Sequence, residues 1–151
     1  MDENCRWDLL VNQADRFVDR KCGLLSLCDN TKKWIVTIWF AAIGIGLGNN
    51  DDSSTALTLL IPAILIFYIL DVLFRSQVLV YTERILFADK YLMSIKKEDL
   101  STSHPTLRCM LPKTTLKLEL RSIVRAAVSR YTLVFYSIMV AATLILKWFV
   151  F

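Results

Sequence analysis

The stretch Thr55–Phe74, TALTLLIPAILIFYILDVLF, constrains this chain more than any other part of its sequence. Its twenty residues carry one formal charge, Asp71, near the C-terminal end. About twenty apolar residues rising 1.5 Å each cover the roughly 30 Å hydrocarbon core of a bilayer. A core helix of a soluble domain of this size would show polar residues at every third or fourth position. The stretch therefore predicts a membrane-spanning helix, relative to which the rest of the chain is placed.

Two further apolar runs complete the expected architecture. Trp34–Gly48 is apolar throughout, but its length is only about 22 Å, so it spans if Lys32 and Lys33 extend their ammonium groups to the surface. Tyr131–Phe151 has 21 residues, with Lys147 as its one charge. The sequence thus predicts an all-α integral membrane protein with three transmembrane helices and a cytoplasmic helical region, assembled as a homo-oligomer.

Charged residues divide the chain into four expected segments. These are a cytoplasmic amphipathic segment (1–33), a transmembrane hairpin (34–74), a cytoplasmic helical region (75–130) and the third transmembrane helix (131–151). Six basic residues precede the first span and eleven lie between the second and third, whereas the hairpin turn Asn49–Ser54 has none. Because basic residues are retained on the cytoplasmic side, we expect the N-terminus in the cytoplasm and the C-terminus outside.

The helical pattern continues beyond the second span. Leu79, Leu86 and Met93 recur at heptad spacing, so the second helix is expected to extend into the cytoplasm as a long amphipathic rod. Asp71 and Arg75 lie one turn apart, which lets their side chains pair at the membrane boundary. A structural role and a role in gating are both open for this pair.

The sequence contains no recognisable catalytic constellation. It has a single histidine, no glycine-rich phosphate loop, no Gly-x-Ser-x-Gly motif and no paired carboxylates in a predicted cleft. Four cysteines occur at spacings that match no zinc site: Cys5, Cys22, Cys28 and Cys109. All four are expected as unpaired thiols in the reducing cytoplasm. We therefore expect neither an enzyme nor a metal or cofactor site.

A ladder of four basic residues at four-residue intervals precedes the third span: Lys113, Lys117, Arg121 and Arg125. On a helix this spacing forms one stripe that leads to the membrane surface. The stripe is predicted to bind the phosphates of a nucleotide or oligonucleotide, through point charges from lysine and bidentate contacts from arginine. The alternative is a juxtamembrane basic segment attracted to anionic lipid headgroups.

A polar stripe continues from the ladder through the third span. At about 100° per residue, one helical face collects six polar side chains. They are Arg125, Ser129, Thr132, Tyr136, Thr143 and Lys147. The last five are candidate pore-lining residues, and several copies would have to surround the pore because three spans cannot enclose one. Alternatively, the hydroxyl groups bond to carbonyls one turn earlier or across a helix contact.

The run Phe67–Tyr91, FYILDVLFRSQVLVYTERILFADKY, resembles a pattern met in small bacterial three-span membrane proteins. There, an aspartate ends the second span, and an aromatic-rich helix with Glu-Arg and a further aromatic follows. The matching positions are Asp71, Glu83, Arg84 and Tyr91. Ala14–Trp34 is similar to the amphipathic N-terminal stretch of these proteins. The chain departs from the pattern at Val72, Leu73 and Ala88.

Proteins of this shape are encoded beside nucleotide-signalling anti-phage systems, and the chain resembles the membrane-channel effectors of the Hailong defence system. The resemblance implies a tetrameric ion channel in the bacterial inner membrane, controlled by an oligonucleotide made by a partner nucleotidyltransferase. Two other functions stay open from the residues alone. One is a non-conducting membrane anchor or scaffold that recruits a soluble partner, and the other is a membrane-disrupting toxin.

Overall fold

A computed structural model of the chain describes residues 3–48, 53–94 and 116–150. These residues form four α-helices and no β-strand: α1 (Glu3–Gly48), α2 (Ser53–Ser94), α3 (Leu116–Ala127) and α4 (Arg130–Val150). The described chain is therefore all-helical, as predicted. α1 and α2 contain 46 and 42 residues, so they are roughly 69 and 63 Å long at 1.5 Å per residue.

The helices α1 and α2 pack along each other as an antiparallel pair. Near the start of α1, Leu10 packs on Ala88 close to the end of α2. Further along, the Arg20 guanidinium donates to the Tyr81 hydroxyl over 3.3 Å. The predicted extension of the second helix is confirmed, because α2 continues without a break to Ser94.

The larger core lies at the other end of this pair, where α4 packs against it. Ile35 of α1, Ile64 of α2 and Tyr136 and Met139 of α4 are buried together. The Tyr136 ring stands edge-on to Tyr68, with 5.4 Å between ring centroids, an arrangement that aromatic quadrupoles favour. α3 packs on α2, and two residues separate its end from the start of α4.

Two of the described helices are long and apolar enough to cross a membrane: α2 over Leu57–Met93 and α4 over Arg130–Phe149. In the most apolar 18-residue stretch of each helix, only 28% (α2) and 22% (α4) is buried, whereas a core helix of a soluble protein is mostly buried. Tyr131 and Trp148 are exposed near the two ends of α4, about 26 Å apart along the axis. This spacing is close to the hydrocarbon thickness, and such aromatic residues favour the interfaces. These features indicate association with a membrane.

Three transmembrane helices were predicted, and two of the described helices, α2 and α4, are long and apolar enough to be such spans. The apolar part of α1, Trp34–Gly48, measures only about 22 Å, and Lys32 and Lys33 directly precede it. A span needs about 20 predominantly apolar residues, so this run is too short to qualify by itself. Within the described helices, the number of candidate spans is therefore two and not three.

Candidate anionic-ligand groove

A groove lies where α3 packs on α2, beside the break between α3 and α4. Its volume is about 1270 Å³, and all four helices contribute to its wall. We call it the arginine groove, after its four arginines Arg75, Arg121, Arg125 and Arg130. Most of the remaining wall is aliphatic and includes Leu25, Val78, Leu79, Leu120, Val124 and Val128. None of the described lining residues is acidic, so the groove combines positive charge with an apolar surface.

The structure brings two of the four predicted ladder residues to this groove. Arg121 and Arg125 lie on successive turns of α3, and both side chains are exposed. Lys117 lies in α3, but its side chain is outside the described part of the chain. Lys113 lies wholly outside the described residues. The predicted ligand stripe is therefore represented in the groove by its two arginines.

Two further arginines, which the four-residue spacing did not include, also line the groove. Arg130 begins α4 after a two-residue break at Val128 and Ser129, and it lies five residues after Arg125, outside the four-residue interval. Arg75 comes from α2, so only packing between distant segments places it here. Both arginines directly adjoin apolar runs in the sequence, where basic residues collect on the cytoplasmic side, and this position could have predicted them.

Arg75 is paired with Asp71, as the spacing of the two residues predicted. The Arg75 Nε lies 3.3 Å from Asp71 Oδ1. Asp71 is fully buried, and its Oδ2 has no hydrogen-bond partner among the described residues. No ion pair joins Arg121, Arg125 or Arg130 to another described residue. Within the described part of the chain, these three guanidinium groups therefore have no carboxylate partner.

A buried thiol lies beside this ion pair. Cys28 is only 1% exposed and close to Asp71, whereas Cys22 is exposed on α1. Both are free thiols, as expected from the sequence. Burial, reinforced by the negative charge of Asp71, raises the pKa of the Cys28 thiol to about 11. Because the thiolate is the reactive form, we expect Cys28 to react slowly with alkylating reagents.

Maleimide labelling near pH 8 tests this arrangement in a variant with Cys5 and Cys109 replaced by serine. We expect Cys22 to react at least about a hundredfold faster than Cys28, because only about a thousandth of Cys28 is thiolate there and the packing excludes the reagent. Peptide mass spectrometry after timed labelling measures the two rates. In denaturing detergent the rates should converge. Equal rates in mild detergent would contradict the packing of Cys28 against Asp71.

The break between α3 and α4 is held by side chains that replace missing helical hydrogen bonds. The Tyr68 hydroxyl donates to the Ala127 carbonyl over 3.2 Å and so caps the end of α3. Ser129 is half-buried and caps α4, since its Oγ accepts from the Thr132 backbone N–H over 3.4 Å. The groove has residues on both sides of this joint, among them Arg125 and Arg130. An occupant can therefore contact both helices at once.

The polar stripe of α4 faces other helices of the same chain. Thr132 and Thr143 are fully buried, and Tyr136 is 4% exposed. Lys147 is half-buried, and its Nζ donates to the Thr58 hydroxyl over 3.2 Å. The polar side chains of α4 thus share one helical face, as the helical period predicted, but α1 and α2 cover most of that face. In this arrangement the buried side chains have no surface with which to line a water-filled path.

The buried hydroxyl groups make the hydrogen bonds that the alternative interpretation described. The Tyr136 hydroxyl donates across the helix contact to the Phe67 carbonyl over 3.1 Å. The Thr143 hydroxyl donates to the Met139 carbonyl one turn earlier, over 2.8 Å. The same oxygen accepts from Trp39 Nε1 over 2.9 Å, which ties α4 to α1. These bonds stabilise helix packing where no water replaces them.

The chemistry of the arginine groove is that of anion binding. Guanidinium groups present paired N–H donors that match phosphate and carboxylate oxygens, and they do not ligate cations. Among the described residues, no group of three or more metal-binding side chains occurs. No protein family, curated protein or solved structure matches the chain.

Proposed function

We propose that this protein is a membrane ion-channel effector whose state is set by an anionic ligand, a nucleotide or oligonucleotide, bound in the arginine groove. One observation carries the proposal. Arg121, Arg125 and Arg130 converge on one groove from both sides of the α3–α4 joint, without an ion pair in the described structure. Phosphate oxygens are strong acceptors for such donors. A ligand held by all three arginines bridges α3 and α4.

The joint would couple ligand binding to the membrane. A ligand that contacts α3 and the first residue of α4 sets the angle between these helices, and α4 runs unbroken from Arg130 to Val150. In the described arrangement, Tyr136 and Thr143 hold α4 against its neighbours. Rotation of α4 would break these bonds and turn the polar face outwards. The proposed pore-lining residues are Ser129, Thr132, Tyr136, Thr143 and Lys147.

The proposed channel is an assembly of several copies, with four as the number that the family resemblance implies. In each copy, Trp34–Gly48 of α1 would enter the bilayer as a third, short span, with Lys32 and Lys33 at the cytoplasmic surface. Along this run Ala41 and Gly44 are exposed, and a Cβ added at Gly44 would meet no atom within 4 Å. This face supports the proposal because small residues let a helix of another copy approach closely.

The proposed location is the bacterial inner membrane, with the N-terminus in the cytoplasm and the C-terminus outside. The support is the distribution of basic residues, of which six precede the first apolar run and eleven lie between the second and the third. This orientation puts the arginine groove on the cytoplasmic side. There it would meet an oligonucleotide made by a partner nucleotidyltransferase during anti-phage defence.

A non-conducting membrane anchor is the second candidate, and one observation favours it. Thr132, Tyr136 and Thr143 are buried within the chain, where a purely structural role accounts for their hydroxyl groups. In that case a ligand in the groove, or the long α1–α2 pair, would recruit a soluble partner without ion flux.

Ion flux from liposomes decides between these functions. The purified protein is reconstituted with an encapsulated ion-sensitive dye, and short single-stranded DNA and RNA oligonucleotides are presented on both sides of the membrane. The channel proposal expects ion flux that depends on an oligonucleotide, while a larger encapsulated dye is retained. Oligonucleotide binding without flux would favour the anchor. Leakage of the larger dye without any ligand would instead indicate a membrane-disrupting toxin.

A further inference from the structure

The arginine groove has two properties that a site for a soluble nucleotide does not require. Its volume of about 1270 Å³ is above the range of about 300–1,000 Å³ for small-molecule sites. Its wall is also mainly aliphatic, with side chains from α1, α2 and α3 such as Leu25, Leu79 and Val124. An apolar wall of this extent is favourable only against another apolar surface.

Two arginines of the groove adjoin the apolar runs of the helices that are candidates to cross a bilayer. Arg130 directly precedes the exposed Tyr131 at the start of α4, and Arg75 directly follows the apolar run Thr55–Phe74 of α2. Arginine and interfacial tyrosine are typical of the membrane boundary. Pockets between helices that combine basic side chains with apolar walls at this depth bind headgroups of anionic lipids.

We propose that the arginine groove binds an anionic phospholipid of the cytoplasmic leaflet. Its phosphodiester contacts Arg121, Arg125 and Arg130, and one acyl chain lies along the aliphatic wall at Leu79 and Val124. The inference rests on the proposed function, because a nucleotide would contact the same arginines. The lipid holds the α3–α4 joint in its resting arrangement, and an oligonucleotide has to displace the headgroup to act.

Native mass spectrometry of the full-length protein in mild detergent tests the lipid site. Phosphatidylglycerol is compared with phosphatidylcholine of the same acyl chains, which differs in carrying no net charge. The wild type is expected to retain phosphatidylglycerol at least about tenfold better, because both lipids present the same phosphodiester but only phosphatidylcholine adds a choline cation, which the arginines of the groove repel. R121Q/R125Q is expected to lose this preference. The matched control R16Q/K90Q removes two positive charges from exposed positions outside the groove and should keep it.

Equal retention of the two lipids by the wild type would overturn the lipid site, as would equal loss of preference in both variants. Circular dichroism of each variant confirms that its helices are intact. Adding a short oligonucleotide to the lipid-bound protein separates this inference from the proposed function. Displacement of phosphatidylglycerol supports a shared site, whereas simultaneous binding of both would overturn it. Selective lipid binding without any oligonucleotide binding would establish the lipid site and contradict the nucleotide-gated channel.

Discussion

Replacing Arg121 and Arg125 by glutamate is expected to weaken the binding of a phosphate-bearing ligand by at least about a hundredfold. A hydrogen bond to a charged group contributes about 1.5–3 kcal/mol, so the loss of two contacts costs about 3–6 kcal/mol, or roughly two to four powers of ten in Kd. Both side chains are exposed and make no ion pair with a described residue. Their replacement therefore removes no ion pair among the described residues, and we expect assembly to be unchanged.

Fluorescence anisotropy with a labelled short oligonucleotide measures this effect, and size-exclusion chromatography in detergent checks assembly. The matched control Arg16→Glu with Lys90→Glu makes the same change in net charge at exposed positions outside the groove. The control should retain most of the binding, and the wild type should lose affinity with rising salt as counterion release requires. Unchanged binding after reversal of Arg121 and Arg125 would exclude the groove as the nucleotide site. Equal weakening in both variants would indicate a general attraction between charges.

Replacing Arg75 by leucine is expected to destabilise the fold by about 3 kcal/mol, the low end of the range for breaking a buried pair. The change leaves the fully buried Asp71 carboxylate without its partner on Oδ1, and its Oδ2 already lacks one among the described residues. The low end applies because the Arg75 side chain is 25% exposed, so water screens part of the interaction.

Thermal unfolding in detergent micelles, followed by circular dichroism, measures this loss. Because the penalty comes from the unpaired charge, the double variant Asp71→Asn with Arg75→Leu should recover most of the stability. The cycle completed by Asp71→Asn alone gives the coupling energy of the pair. A loss in Arg75→Leu that the second substitution does not reduce would show that leucine disturbs packing and that the ion pair contributes little.

Most of the fold could be predicted from the sequence because helix type and length depend on local pattern. The apolar run Thr55–Phe74 predicted the centre of α2, and the heptad spacing after it predicted the extension to Ser94. The number of membrane-spanning helices could not be predicted from composition alone, since three were expected and two of the described helices qualify. Trp34–Gly48 is apolar but short, and its place relative to a bilayer depends on its neighbours rather than on its composition.

The candidate site could be predicted only in part. Helix geometry alone places Arg121 above Arg125 and Asp71 beside Arg75, since residues four apart share a helical face. The same rule could not show that Arg75 lines the same groove as the α3 arginines, because α2 and α3 are distant in sequence. Nor could it show Cys28 beside Asp71, a contact that exists only once α1 packs on α2.

The sequence by itself determined that the described segments are helical, that the apolar runs within α2 and α4 are long enough to cross a membrane, and that basic residues collect at one flank of the apolar runs. Only the tertiary structure decided what each helical face contacts. It turns the hydroxyl groups of α4 towards Trp39 and the Phe67 carbonyl, and it assembles the four arginines around an apolar groove. The physical reason is that helical period specifies which residues share a face, whereas the partner of that face depends on packing between segments far apart in the chain.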